Sequence, residues 1–126
     1  AALPKERQRF ALQVEEGQFL YSDRDGPGDW VNHSCDPNCE PDVIRNRVWL
    51  ISTRKIKEGE ELSYNYGFDL DGYEDHECKC GAKKCVGYIT ADDNWPKLKK
   101  RLAKKKKKAK KKADKGKKKS KKKAKK

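Results

Sequence analysis

Three thiols stand close together in Cys78-Lys-Cys80-Gly-Ala-Lys-Lys-Cys85, a CxCx4C spacing. Thiolate is a preferred donor for zinc, and zinc takes four donors in a tetrahedron, so this loop is one donor short. Cys35, Cys39 or His76 could supply the fourth. A site closed by four protein donors is structural, not catalytic. A second cluster, Asn32-His-Ser-Cys-Asp-Pro-Asn38, is turn-prone, with Pro37 and several side chains that can hydrogen-bond. Spacing alone does not separate a binding role for His33 from a structural one. In Gly59-Glu-Glu-Leu-Ser-Tyr64-Asn-Tyr66 the two tyrosines fall on the same side of a strand, because side chains alternate with period two. By periodicity that pair reads as a half-buried aromatic stripe.

Positioning these groups falls to short elements. Residues 10–14 and 18–21, split by Glu16-Gly17, predict two strands of a hairpin, and Ser22 to Asp29 has the turn chemistry of a loop. Val48 to Thr53 is the clearest strand. Residues 56–66 predict a turn at Glu58-Gly59 and then a strand from Glu61. Asp69 to Gly87 has no regular period, as expected of a loop organised by metal. Asn94 can cap a helix with Pro96 in its first turn, and Trp95, Leu98 and Leu102 then share one face. A short helix is therefore expected over 94–103. Beyond Ala103 the chain is Lys with scattered Ala, Gly116 and Ser120, too little apolar surface to offset chain entropy, which predicts a disordered tail over 104–126.

The 126 residues bound the answer to one small domain. A net charge of +13 hides two opposite halves: residues 97–126 hold 21 Lys or Arg against one acid, Asp114, and the rest hold 12 basic and 19 acidic residues. The acidic body favours cationic partners. The tail favours polyanions, above all nucleic acid bound without regard to sequence. Five cysteines, with no signal peptide and no membrane-spanning apolar run, read as reduced and metal-binding, hence intracellular. Methionine is absent even at position 1, which gives the expectation of a fragment lacking its N-terminal part.

Taken together, NHSCDPN at 32–38, GEELSYNYGF at 59–68 and CKCGAKKC at 78–85 resemble the C-terminal SET region and post-SET zinc loop of protein lysine methyltransferases. The resemblance runs from about Phe10 to Ile89. It implies a mainly β fold of the SET-domain (β-clip-like) type, C-terminal half only. Small sheets would surround a knot-like core in which the NHSC segment threads beneath the strand bearing the tyrosines. Residues 1–76 would be the C-terminal part of the SET domain, 77–93 the post-SET zinc loop, 94–103 the short helix and 104–126 the tail.

The resemblance also implies roles. Asn32, His33 (largely through its backbone), Tyr66 and Lys79 would contact S-adenosylmethionine. Cys35 would be the fourth ligand of a structural Zn2+, beside Cys78, Cys80 and Cys85, leaving Cys39 and His76 outside. Tyr66 would be catalytic, with Tyr64 and Phe68 at the substrate-lysine channel, and a tyrosine at position 64 goes with lower methylation states. The implied activity is S-adenosylmethionine-dependent protein-lysine N-methylation of a histone or another basic protein. The setting would be the nucleus or chromosome of a eukaryote, or the cytoplasm or nucleoid of a bacterium. Two departures stand out. Asp29 and Trp30 occupy places where many nuclear members carry Arg and Phe, and the family's Gly-rich cofactor segment has no counterpart upstream of Phe10. The competing expectation is a catalytically inactive SET-like zinc module that binds nucleic acid or chromatin-like partners through its basic tail.

Overall fold

The computed structural model describes residues 11–15, 18–20 and 26–123. The chain divides into two compact units after Asp92.

In the first unit, β1 (Leu12–Glu15) and β2 (Gln18–Leu20) pair antiparallel, with Leu12 opposite Leu20 and the register slipping between Gln13 and Glu15. This is the expected hairpin, although Phe10, Tyr21 and Ser22 to Asp25 lie outside the described residues. A 3-10 turn follows at Pro27–Trp30, where the Gly26 amide donates to the Asp29 carboxylate at 3.1 Å. Proline suits the start of such a turn because its missing N–H would have had no partner there.

Strands β3 (Asn32–His33), β4 (Cys39–Ile44), β5 (Arg47–Ser52) and β6 (Ser63–Tyr64) complete the unit. β4 and β5 form a second antiparallel hairpin, Cys39 opposite Ser52 through Ile44 opposite Arg47. Its two-residue turn places Arg45 and Asn46 at φ 50° and 59°, the left-handed pair that matches the twist of adjoining strands. β5 is the strand expected from the sequence. β4 is an addition: its Glu, Pro and Asp have poor strand propensity, and Pro41 is tolerated because β4 pairs on one side only. β3 and β6 pair in parallel, Asn32 with Ser63 and His33 with Tyr64. The strand expected from Glu61 is therefore confined to two residues.

Buried residues of this unit are Cys35, Cys39, Leu70, Tyr73 and Cys78, with the polar Asn38 and Thr90. Among the described residues Leu70 is the one aliphatic side chain in that set, and units of this size often lean on a cross-link.

The second unit is dominated by helix α1 (Trp95–Lys123), entered through a 3-10 turn at Asp92–Asn94. Leu98 is fully buried, and Trp95 and Leu102 are half-buried, the face that their spacing predicts. The expected helix over 94–103 with a disordered tail over 104–126 is corrected here: the helix continues to Lys123. Lys and Ala are good helix formers, and no proline or β-branched residue interrupts them. Backbone propensity carries a segment that core burial does not.

Candidate active site and metal centre

The segments around β3 and β6 are fastened by several hydrogen bonds besides their ladder. Ser34 N–H donates to the Tyr64 carbonyl at 3.1 Å. The Tyr66 hydroxyl donates to the Val31 carbonyl at 2.8 Å. Buried Asn38 donates to the Glu61 carbonyl at 2.8 Å and accepts from the Ser63 amide at 2.9 Å. Near the same strand Arg54 pairs with Glu60, which also accepts from the Lys57 amide, and these contacts hold the Glu60 carboxyl down at about 2.

At the far end of the loop, Cys35 meets the thiols of Cys78, Cys80 and Cys85, all four sulfurs lying within 4.8 Å of one another. Cys35 Sγ is 3.8 Å from Cys78 Sγ and 3.7 Å from Cys85 Sγ. The Gly87 amide, at a φ of +84° that glycine adopts freely, donates to Cys85 Sγ at 3.4 Å. Burial pushes the Cys35 thiol far up and the Cys78 thiol up to about 11. Burial also opposes ionisation of Cys80, but the backbone N–H groups of Cys35 and Ala82 and the neighbouring thiols outweigh it and bring Cys80 down to about 6. Four sulfurs this close could hold a metal ion. Cys39 is outside the group, buried at the start of β4, and the exposed His76 sets its ring edge against Phe68 at 4.8 Å between centroids.

His33 lies between this cluster and the tyrosines. Its Nδ1 accepts from the Tyr66 amide at 3.1 Å, and its Nε2 is 3.6 Å from Cys35 Sγ. Burial lowers its pKa, which favours the neutral ring. With Nδ1 accepting, Nε2 carries the proton and faces the sulfur. The expected backbone role thus has a side-chain role beside it.

Tyr64, Tyr66 and Phe68 form a ladder of rings with centroids 4.9 and 5.6 Å apart, and His33 meets Tyr66 edge-on at 5.3 Å. Burial pushes the Tyr64 phenol up to about 12, helped by Tyr66 and Asp29, and it raises Tyr66 as well. Both remain neutral phenols at ordinary pH, able to orient a ligand but not to act as phenolate bases.

Two of the spaces adjoining this ladder involve Tyr66. A cleft of about 500 Å³ is lined by Asn32, His33, Tyr66 and Lys79, with Glu61 and Cys80 among its other walls. Asn32 donates to the Glu61 carboxylate at 2.6 Å there. A smaller cavity of about 80 Å³ is lined by Leu12, Asp29, Tyr64, Tyr66 and Phe68. Tyr66 is common to both. Asn32, His33, Tyr64, Tyr66, Phe68 and Lys79 line one or other of these spaces and Cys35, Cys78, Cys80 and Cys85 form the thiol cluster, whereas Cys39 and His76 belong to neither. Asn38, Glu61 and the Val31 carbonyl were not singled out. A buried asparagine beside Pro37 carried no signal distinguishing it from an exposed turn residue.

The sequence pattern of the SET domain matches residues 5–67, half of the chain. This chain belongs to the SET domain family. It is 36% identical over 85 residues to a protein of Gibberella zeae named histone-lysine N-methyltransferase, H3 lysine-36 specific, a match covering 64% of this chain and 9% of that protein. A protein of the same name from Mycosarcoma maydis is 34% identical over 88 residues, covering 66% of this chain and 9% of the relative. Human histone-lysine N-methyltransferase 2D is 42% identical over 66 residues, covering 48% of this chain and 1% of the relative. The SET domain described here thus spans a tenth or less of these curated relatives. Among the described residues, no helix is long and apolar enough to cross a membrane.

Proposed function

We propose that this SET domain transfers a methyl group from S-adenosylmethionine to a lysine amine of a basic protein, with Tyr66 where donor and acceptor meet. One observation carries the reading: Tyr66 lines both the 500 Å³ cleft and the 80 Å³ cavity. The larger cleft is within the range of small-molecule sites, and Asn32, His33 and Lys79 give it the mixed polar lining that a nucleoside with an amino-acid end requires. When bound, S-adenosylmethionine supplies an electrophilic methyl on a sulfonium. The parallel pairing of β3 with β6 supports the knot-like threading.

The chain's own part is positioning. A lysine amine has a reference pKa of about 10.4 and attacks only when neutral. A cavity walled by Tyr64, Tyr66 and Phe68 disfavours the ammonium by desolvation. The Tyr66 proton is engaged by the Val31 carbonyl, so its oxygen faces the amine as an acceptor and orients the nitrogen lone pair.

Zn2+ fits the thiol cluster. Four sulfurs about 2.3 Å from a tetrahedral zinc lie about 3.8 Å from one another. The two separations from Cys35 are 3.8 and 3.7 Å. With four protein donors, the ion would fasten the loop carrying Lys79 against the cleft.

The substrate class follows from the relatives' names and from the acidic body, which attracts basic proteins. A nuclear setting goes with histone substrates. The test is a labelled-methyl assay with purified protein against histones, ribosomal proteins and the chain itself. Label on lysine is the expected result. Absence of both label and S-adenosylmethionine binding would leave the inactive zinc module as the better reading, which the grouping of Asn32, His33, Tyr64 and Tyr66 disfavours.

Tyr64 is expected to limit the number of methyl groups added. Its neutral hydroxyl, or a water held by it, restrains the amine and hinders realignment for another transfer. Mass spectrometry of a methylated peptide should show mono- and dimethyllysine for the wild type. The product should move upward for Tyr64→Phe, with activity retained. Trimethyllysine as the main wild-type product would contradict this role.

The cationic helix is a separate binding element. With 19 Lys or Arg between residues 97 and 123 and no aromatic after Trp95, it can neutralise phosphates but cannot stack on or read bases. It is expected to bind DNA without sequence preference and with steep salt dependence. Deleting residues 104–126 should remove most binding at about 0.15 M salt, where exposed charges are screened within about 8 Å. Equal DNA affinity of the truncated and whole proteins in a filter or anisotropy assay would refute it.

A further inference from the structure

A groove of about 410 Å³ adjoins the 80 Å³ cavity, and both are lined by Leu12, Gly28, Asp29 and Tyr64. Apolar walls from Leu20, Pro41, Val48 and Leu50 extend the groove, which also carries Asn46 and Arg47. Asp29 is the one charged side chain lining the smaller cavity among the described residues. One of its oxygens is fixed by the Gly26 amide at 3.1 Å. Among the described residues no Lys or Arg forms an ion pair with it, Arg47 included. A half-buried carboxylate therefore stands between an apolar groove and a passage of aromatic rings.

The ligand that satisfies all three surroundings is a cation on a long apolar stem. A lysine side chain is that ligand: its methylenes lie along apolar and aromatic walls while its ammonium seeks an anion. We infer that Asp29 captures the substrate's lysine ammonium where the groove meets the ring-lined cavity, and that an extended peptide segment bearing that lysine occupies the groove. This rests on the proposed methyl transfer for its setting, and it adds the recognition residue. A neighbouring carboxylate stabilises the ammonium, whereas attack requires the neutral amine. Asp29 therefore serves capture and not transfer, so its loss appears in KM and not in kcat.

The experiment uses the full chain and its Asp29→Asn variant, which removes the charge but keeps an acceptor for the Gly26 amide. Two synthetic peptides serve as probes: a histone H3 segment centred on the lysine named for the fungal relatives, and the same segment with norleucine in that place. Binding is read by fluorescence anisotropy without cofactor, at low and at physiological salt. The wild type should favour the lysine peptide by about fivefold at low salt, the scale of a partly exposed ion pair, and less as salt rises. Asp29→Asn should bind both peptides alike at either salt. In turnover, the same variant should raise KM by a similar factor with kcat within twofold.

An equal preference for lysine in the variant overturns the assignment, as does a fall in kcat at constant KM. Failure of the wild type to prefer lysine overturns it too. The binding comparison needs no turnover. A wild-type protein that discriminates the peptides but transfers no methyl sinks the enzymatic reading and leaves the Asp29 site standing. Normal transfer by an indifferent Asp29→Asn does the reverse.

Discussion

Stripping zinc from the folded protein should release the segment from about Asp71 onward and dismantle the 500 Å³ cleft. Between Asp71 and Ala91 the only regular features are a 3-10 turn at Tyr73–Asp75 and one antiparallel bridge between Glu77 and Tyr88. Backbone bonds such as Cys78 N–H to the Gly87 carbonyl at 2.9 Å and Ile89 N–H to the His76 carbonyl at 2.8 Å close the loop on itself. Its ties to the rest include the Ala91 amide and the Thr90 hydroxyl on the Phe68 carbonyl, the His76 ring against Phe68, an exposed Lys84–Asp36 pair, and the thiols. Binding of a structural zinc ion is worth roughly 10–16 kcal/mol in small peptides, which matches or exceeds the roughly 5–15 kcal/mol net stability of a typical domain. The ion is therefore expected to decide whether this loop is folded.

Elemental analysis should find one zinc per chain in freshly reduced protein, and amide exchange should show the loop losing protection on chelation. Cys35→Ser should lower zinc content below half an equivalent. Cys39→Ser, equally buried but outside the cluster, should keep it. Unchanged zinc in Cys35→Ser would sink the four-thiol assignment.

The chemistry of the site was legible in the sequence, and its geometry was legible only where local rules applied. CxCx4C suggests three donors by spacing, which leaves the fourth open among Cys35, Cys39 and His76; the family resemblance, not any local rule, points to Cys35. Spacing cannot make that choice, because Cys35 and Cys78 are 43 residues apart and are brought together by a parallel pairing that no local pattern encodes. The Tyr64–Tyr66 period reads as a stripe, and the two rings do meet, tilted by 44°. Their second neighbour, His33, is reached through space. Strand β4 was not read because Glu40, Pro41 and Asp42 argue against a strand, and pairing with β5 overrides them. The basic segment failed in the opposite sense: weighing core burial alone predicted disorder, while the backbone preference of Lys and Ala yields a helix.

Losing the Tyr66 hydroxyl should cost the proposed methyl transfer two to three orders of magnitude in rate while leaving the fold and the zinc content unchanged. Tyr66→Phe keeps the ring, and with it the contacts to His33, Tyr64 and Phe68 at centroid distances of 5.3, 4.9 and 5.6 Å. The Tyr66 amide still donates to His33 Nδ1, so the link toward Cys35 survives. What disappears is the oxygen that the Val31 carbonyl holds in place at 2.8 Å. Tyr66 lines both cavities and cannot be replaced by its neighbour, because Tyr64 lines the smaller cavity and not the cleft. Removing one preorganised polar contact from an active site typically costs about 10²–10³ in kcat, or roughly 3–4 kcal/mol of barrier. Binding of S-adenosylmethionine should weaken far less, since Asn32, His33 and Lys79 remain. Single-turnover transfer, calorimetric cofactor binding and zinc content, measured on the same preparation, separate these outcomes. Near-normal turnover by Tyr66→Phe would refute the catalytic assignment, and a parallel collapse of cofactor binding would make Tyr66 a wall of the cleft and nothing more.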